Sequence, residues 1–506
     1  MSSSASLPVD EIPSTQAAPL LTRRDSSNLF IIVVFLQNLI LLLAGSGPLS
    51  LLLLTTVETI CYYLISRHGK TDINATIILT IGLAHIIIAS FIKIFLLQSL
   101  DDNLIVPDLT EFITLLYFSF LALAFAVARR LPIPRFRIQP EPNLKTLELL
   151  IVLSTVLMIL PMVSTGSSAE VDTNGQTNFL GVATRGFATV AMVASIVHAL
   201  KKSNGAQIFD AWSVSILGLS LTLGMAGNSR EGILAPILTL IVVPLFHGYR
   251  FSRRMIAGGV AFVAFVSFVL SPALLIVRGE RQFLSFVERI EKTIETTALV
   301  IIRDPATLDA TQRPLDTIQF SIWGRYFGQP VPFSDRIGLI QTTDALAAAS
   351  YGGNYVMTDG SFRDMIVGLF PNFVLDWFDV YVERTKTTAD RVASGLGLAD
   401  TNAASFLAIP LDAEAYATGG PWLVITQTFL SYLLVFYINR LAIGKRSTRE
   451  VLPPTLLLLG YHVCTEGDAG ALLYYTMRVL PQFIISFHLI FMAARTLGST
   501  QPNRAT

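Results

Sequence analysis

The stretch that decides the fold is ATIILTIGLAHIIIASFIKIFLL, residues 75–97. It carries one charged side chain, Lys93, in 23 residues. At 1.5 Å of rise per residue, about 20 mostly apolar residues cross the hydrocarbon core of a bilayer as a helix. Similar runs recur along the whole chain: 29–45, 49–66, 109–128, 147–163, 179–200, 209–226, 231–248, 255–277, 419–439, 451–464 and 471–494. With the first they make twelve expected spans. The shortest is 451–464, and 209–226 nearly touches 231–248. Residues 1–28 are rich in Ser, Pro and Ala and read as a disordered cytoplasmic tail, not a cleaved signal.

Composition agrees. Of 506 residues, 52% are hydrophobic and only 14% charged; soluble domains carry about 25% charged residues. Mean hydropathy is +0.59. Lys plus Arg (36) balances Asp plus Glu (36), so no basic excess drives nucleic-acid binding. Both cysteines, Cys61 and Cys464, fall in apolar runs, which argues against a disulfide framework or thiolate metal site.

The distribution of Lys and Arg orients the spans. With the N-terminus inside and strict alternation, the inner segments hold twenty basic residues. These include Arg23, Arg24, Lys201, Lys202, Arg250, Arg253, Arg254 and the clusters 129–145 and 440–449. The short outer loops hold Arg230 alone. The expected fold is an all-α polytopic membrane protein with about twelve transmembrane helices and both termini cytoplasmic. Spans 1–9 occupy 29–277, spans 10–12 occupy 419–494, and 495–506 is a second tail. Between spans 9 and 10, residues 278–418 form a large helical extracytoplasmic loop, the expected working part.

Within that loop, FLSFVERIEKTIETTAL (283–299) spaces Phe283, Phe286, Val287, Ile290 and Ile294 as one apolar helical face, suited to lying on the bilayer surface or capping the bundle. Residues 361–382, broken by Pro371, read as two short interfacial or re-entrant helices, because Asp364, Asp376 and Asp379 are costly at membrane depth.

The candidate site residues cluster at the outer rim. Arg230, in GNSREG, reads as an anion clamp or as a helix-end anchor. Arg278 and Arg281, in VRGER, are three residues apart and add two cations, or else pair with Glu280 and Glu231. Arg185, Lys93 and Arg478 are charges inside apolar runs, expensive there and therefore candidates. Lys93 reads as paired with Glu58, and Arg478 as facing an outer cavity or Asp468 and Glu466. His85, His462 and His488 read as satisfied core histidines, since no metal-binding spacing is present. In DTNAASFLAIPLDAEAYATGGPW (400–422), Asp400, Asp412 and Glu414 are carboxylates suited to general-base work or to helix N-terminal charge compensation.

These motifs resemble those of the Wzy-type oligosaccharide repeat-unit polymerases, relatives of the O-antigen ligases. The likeness rests on NSREG (228–232), LIVRGER (275–281), SYGGNY (350–355), VGLFPNF (367–373) and SFLAIPLDAEAYATGGPW (405–422), and covers the chain from about residue 220 onward. Asn372 stands where the family often has Arg, and no His lies between His247 and His462, which favours polymerase over ligase. The resemblance implies a metal-independent glycosyltransferase of the GT-C class in the bacterial cytoplasmic (inner) membrane. Donor and acceptor would be oligosaccharides on polyprenyl (undecaprenyl) pyrophosphate, used at the outer face for cell-surface polysaccharide synthesis. Arg230, Arg278 and Arg281 would hold the pyrophosphate, Glu414 or Asp400 would be the base, and Arg185, Arg478, Tyr416 and Glu231 are further candidates. No cofactor is implied. Membrane lipids, a chain-length regulator and a flippase are the implied partners. The alternatives are ligase-like transfer to another acceptor, or a transporter or flippase of lipid-linked sugars. Against the transporter, the chain shows no repeated halves.

Overall fold

The structure is a computed structural model. It describes residues 23–69, 71–133, 142–165, 186–226, 230–270, 273–274, 276–277, 284, 286–302, 326–327, 338–353, 355, 367, 370, 375, 377–378, 409–443 and 450–499. All regular structure among the described residues is helical. The helices are α1 (Arg23–Leu43), α2 (Pro48–His68), α3 (Ile73–Phe95), α4 (Pro107–Arg130), α5 (Leu144–Thr165), α6 (Phe187–Lys202) and α7 (Ala211–Ala226). They continue as α8 (Arg230–Phe246), α9 (Arg253–Phe265), α10 (Phe286–Ile301), α11 (Leu339–Ala349), α12 (Leu411–Ile443), α13 (Leu452–Glu466) and α14 (Ala469–Gly498). Each of the twelve apolar runs falls mainly on helix among the described residues, with turns at several of their ends.

Among the described residues, five helices are long and apolar enough to cross a membrane: α2, α3, α4, α12 and α14. Large apolar side chains also face outward, among them Phe35 (64% exposed), Val260 (65%), Leu430 (62%) and Ile485 (61%). A soluble monomer rarely exposes such a surface. In lipid it is the expected outside of a helical bundle, whose backbone polar groups are satisfied within each helix.

Sequence sets the helix starts. Asp72, Ser252 and Asp468 cap their helices by accepting backbone N–H bonds from Ala75, Met255 and Ala471. Asp210 does the same from Ser213 (2.9 Å) and binds the His198 ring (2.7 Å). Burial alone would raise the Asp210 carboxyl; the Ser213 N–H and the His198 ring outweigh it and hold it below the usual range. The start of α4 is capped from outside its own segment. Asp344 of α11 accepts from the N–H of Ile105 (2.6 Å) and Val106 (2.9 Å) and from the Thr110 hydroxyl (2.9 Å).

The centre of the bundle is the seam between α4 and α12, its most extensive helix pair. Phe125 and Phe436 meet edge to face at 6.0 Å, and the Tyr117 and Tyr432 hydroxyls lie 2.6 Å apart. Tyr432 donates its only proton to the Cys464 carbonyl (2.6 Å), so Tyr117 donates to Tyr432. Helix α6 is buried almost all round, packed on α5, α7, α8 and α13, as an all-round apolar helix must be.

Helix α10 exists; Val287 (60%) and Ile294 (58%) of its apolar face are exposed, while Thr293, Thr296 and Val300 are buried where it packs on α7. The tenth apolar run begins at a break, with non-helical backbone at Gly419 and Gly420, and a short helical segment from Leu411 precedes it. One expectation needs correction. Glu58 and Lys93 are not paired. Glu58 interacts with Gln37, and Lys93 donates to the Asp102 carbonyl (2.7 Å) and sits 4.1 Å over the Tyr326 ring. The ammonium is thus satisfied without a carboxylate. Most of 361–382, with its proposed pair of short helices, lies outside the described residues.

Candidate functional site

The segment 411–418 is held at its carboxylates. Pro410 directly precedes the helix, and Asp412 and Glu414 fall in its first turn, where the helix dipole favours negative charge. Both side chains are buried. Asp412 accepts from the Thr343 hydroxyl (3.0 Å) and faces His85 Nε2 at 3.5 Å, with neither group of that pair exposed. The other ring nitrogen, Nδ1, meets the Ile81 carbonyl at 3.0 Å, and the ring stacks on Tyr117. Glu414 Oε2 accepts the Ala469 N–H (2.6 Å), at the first residue of α14. The acidic motif therefore ties three elements together: α3, α11 and α14.

The break follows. Gly420 has φ +71°, the left-handed region, and a Cβ there would lie 2.7 Å from the Tyr355 hydroxyl oxygen. The Tyr355 ring meets Tyr416 edge to face at 5.9 Å. Pro421 then opens the second part of α12, where its missing N–H costs nothing.

Helix α14 packs on the same region of α12 with both its first turn and its π-helical turn, Tyr475–Val479. That turn carries Arg478, 6% exposed. Its guanidinium lies 5.3 Å over the Tyr474 ring, and Nε and Nη1 have no hydrogen-bond partner. Among the described residues no salt bridge joins Arg478 to Asp468 or Glu466. His85 also sits in a π-helical turn, Leu83–Ile87. Single π turns inside α-helices are frequent at functional sites.

The basic residues of the outer rim are reached through their neighbours. Arg230 opens α8, and the side chains of Arg230 and Glu231 lie outside the described residues, as do Arg185, Arg278, Arg281 and Asp400. At the α7–α8 junction a Cβ on Gly224 would lie 2.7 Å from the Gly232 backbone, so the two helices approach there at backbone distance. Ile233 and Ile237 of α8 share one apolar cluster with Val266 and Leu274. Ile233 is three residues after Arg230, and Leu274 is four before Arg278. Gly186, next to Arg185 in the chain, packs against Phe483 of α14.

Among the described residues, no group of three or more His, Cys, Asp and Glu side chains is placed to hold a metal. Sequence reasoning singled out Arg478, Glu414 and Tyr416, and the structure places them on two touching helices. It missed the partnership of His85 with Asp412, because a lone histidine in an apolar run carries no sign of a carboxylate from a distant segment. No family model, curated protein or solved structure matches the chain.

Proposed function

We propose that this chain is a membrane glycosyltransferase that polymerises polyprenyl-pyrophosphate-linked oligosaccharide repeat units at the outer face of a bacterial cytoplasmic membrane. In this reading twelve spans carry the chain, and residues 278–418 lie outside. The observation that supports it most is the apolar cluster of Ile233, Ile237, Val266 and Leu274. It ties the chain just after Arg230 to the chain just before Arg278 and Arg281. Three Arg residues within a few positions of that cluster in sequence would suit a pyrophosphate, whose charge grows as the glycosidic bond to it breaks.

The sugar hydroxyl of a second lipid-linked unit attacks the donor's anomeric carbon. The bond to pyrophosphate oxygen breaks, and the hydroxyl proton passes to a carboxylate, for which Asp400 and Glu414 are the candidates. Arg cations supply the neutralising charge, so activity is expected to persist in EDTA.

Purified protein in nanodiscs, given a panel of polyprenyl-pyrophosphate oligosaccharides with EDTA, tests this. The expected product is a ladder of longer lipid-linked glycans, reduced at least a hundredfold in Arg230→Ala. Transfer only to an added non-repeat acceptor would make the protein a ligase.

A transporter or flippase of lipid-linked sugars is the second reading. The break in α12 favours it, because interrupted helices line many transport sites. Movement of the lipid-linked sugar across vesicles with no new glycosidic bond would establish that reading instead.

A further inference from the structure

We infer that Arg478, with Tyr474 and Gln482 on the same face of α14, forms a buried seat for a phosphate-bearing group. A guanidinium keeps its charge at any working pH and offers five donors and no acceptor. Arg478 is 6% exposed, and two of its nitrogens, Nε and Nη1, have no partner. Its one close neighbour of opposite polarity is the face of the Tyr474 ring, 5.3 Å away. A ring face orients the guanidinium plane and leaves the donors at its edge open.

The nearby carboxylates do not close the gap. Glu414 accepts from the Ala469 N–H, Asp468 caps Ala471, and no carboxylate oxygen hydrogen-bonds Nε or Nη1 of Arg478. Two more buried polar atoms without partners, the Tyr474 hydroxyl and Gln482 Oε1, lie one turn to either side. At i, i+4 and i+8 these side chains share a face. The hydroxyl donates, and the Gln482 amide turns its NH2 to an anion. Native interiors leave few polar groups unsatisfied, and an unpaired cation is the most costly of them. Several on one face of one helix mark a place that a ligand fills. The ligand must be anionic, must accept several hydrogen bonds, and must be small where it meets the guanidinium. Phosphate oxygens meet those demands.

The seat stands on this geometry. Only its naming as part of the donor site rests on the glycosyltransferase reading. A polyprenyl pyrophosphate headgroup and free pyrophosphate share the chemistry, and the test separates them.

The full chain in zwitterionic nanodiscs is titrated with polyprenyl pyrophosphate without sugar and, separately, with inorganic pyrophosphate. Arg478→Lys, Arg478→Gln and Tyr474→Phe are titrated beside it, and the glycan ladder assay is run on the same samples. The expected result is saturable binding by the wild type, weakened about tenfold or more by Arg478→Gln and severalfold by the other two. Arg478→Lys and Tyr474→Phe keep the test valid if Arg478→Gln does not fold. Binding of the lipid alone names the lipid as the source; binding of both makes the seat a general phosphate site. A wild type that binds neither, or variants that all bind like the wild type, overturns the seat, whether or not a ladder forms. A seat that binds in a protein that makes no ladder leaves this inference standing and removes the polymerase reading.

Discussion

At the scale of single residues, the buried pair His85 and Asp412 has the largest structural consequence. Both side chains are fully buried, and they meet at 3.5 Å. The facing atoms, His85 Nε2 and Asp412 Oδ1, have no hydrogen-bond partner of their own, so removing either residue leaves a buried polar group alone, which costs about 1–3 kcal/mol. His85→Ala and Asp412→Ala are each expected to lower the thermal midpoint of the purified protein strongly. Because they remove the same interaction, the double substitution should cost less than the sum of the two by about 1 kcal/mol or more. Additive losses in a double-mutant cycle would show that the two groups do not interact. The pair also shows where sequence reasoning stops at this scale. Arg478 was legible, since a charge inside an apolar run announces itself. His85 was not, since its partner comes from a part of the chain that reads as an outer loop and is brought in only by the packing of α11 and α12 on α3 and α4.

At the scale of elements, the helical character of the apolar runs was legible, because an apolar run of that length has its backbone polar groups satisfied within a helix. The short helix ahead of the tenth run was not. In TGGPW the two glycines read as the entry to a span, whereas helix lies on both sides of them. The physical reason is that Asp412 and Glu414, which look like surface carboxylates, are held inside the bundle, where the Thr343 hydroxyl donates to Asp412 and the Ala469 N–H donates to Glu414, with His85 3.5 Å from Asp412. Helix can therefore run eight residues further toward the outer loop than polarity alone allows. The break depends on Gly420. Its φ of +71° and the 2.7 Å approach of the Tyr355 oxygen leave no place for a methyl group. Gly420→Ala is expected to destabilise the protein by about 1–3 kcal/mol, read as a lower thermal midpoint. Tyr355→Phe in the same background removes the nearest clashing atom and should restore part of the loss. A Gly420→Ala protein as stable as wild type would mean that the break is not maintained by this contact.

At the scale of the whole molecule, the argument turns on counting. Basic residues fall on one side of the expected topology with Arg230 as the sole exception in the short outer loops. One missed or extra span would move every later cluster across the membrane. Helix α11 bears on the same question from within the fold. It comes from the large loop, yet Asp344 caps α4 and Thr343 holds Asp412, so this loop closes one end of the bundle and does not hang from it. That end is the outer end if α4 runs inward from Pro107, as Arg129 and Arg130 at its far terminus require. Single reporter cysteines decide the matter, because Cys61 and Cys464 are both buried and should stay silent. Tyr351→Cys, beside α11 and 65% exposed, is expected to react with a membrane-impermeant maleimide on intact cells. Ala206→Cys, exposed in the turn after Lys201 and Lys202, is expected to react only after the membrane is opened. The reverse pattern would turn the whole assignment over and place the outer-rim arginines in the cytoplasm, where nucleotide-activated donors are at hand and a pyrophosphate-linked lipid donor loses its rationale. Labelling of both sites from the same side would instead require an even number of crossings between them, so that one of the three expected there, α7, α8 or α9, does not cross; loss of the α7–α8 pair together, whose helices touch at Gly224 and Gly232, would leave one crossing and the two sites still on opposite sides.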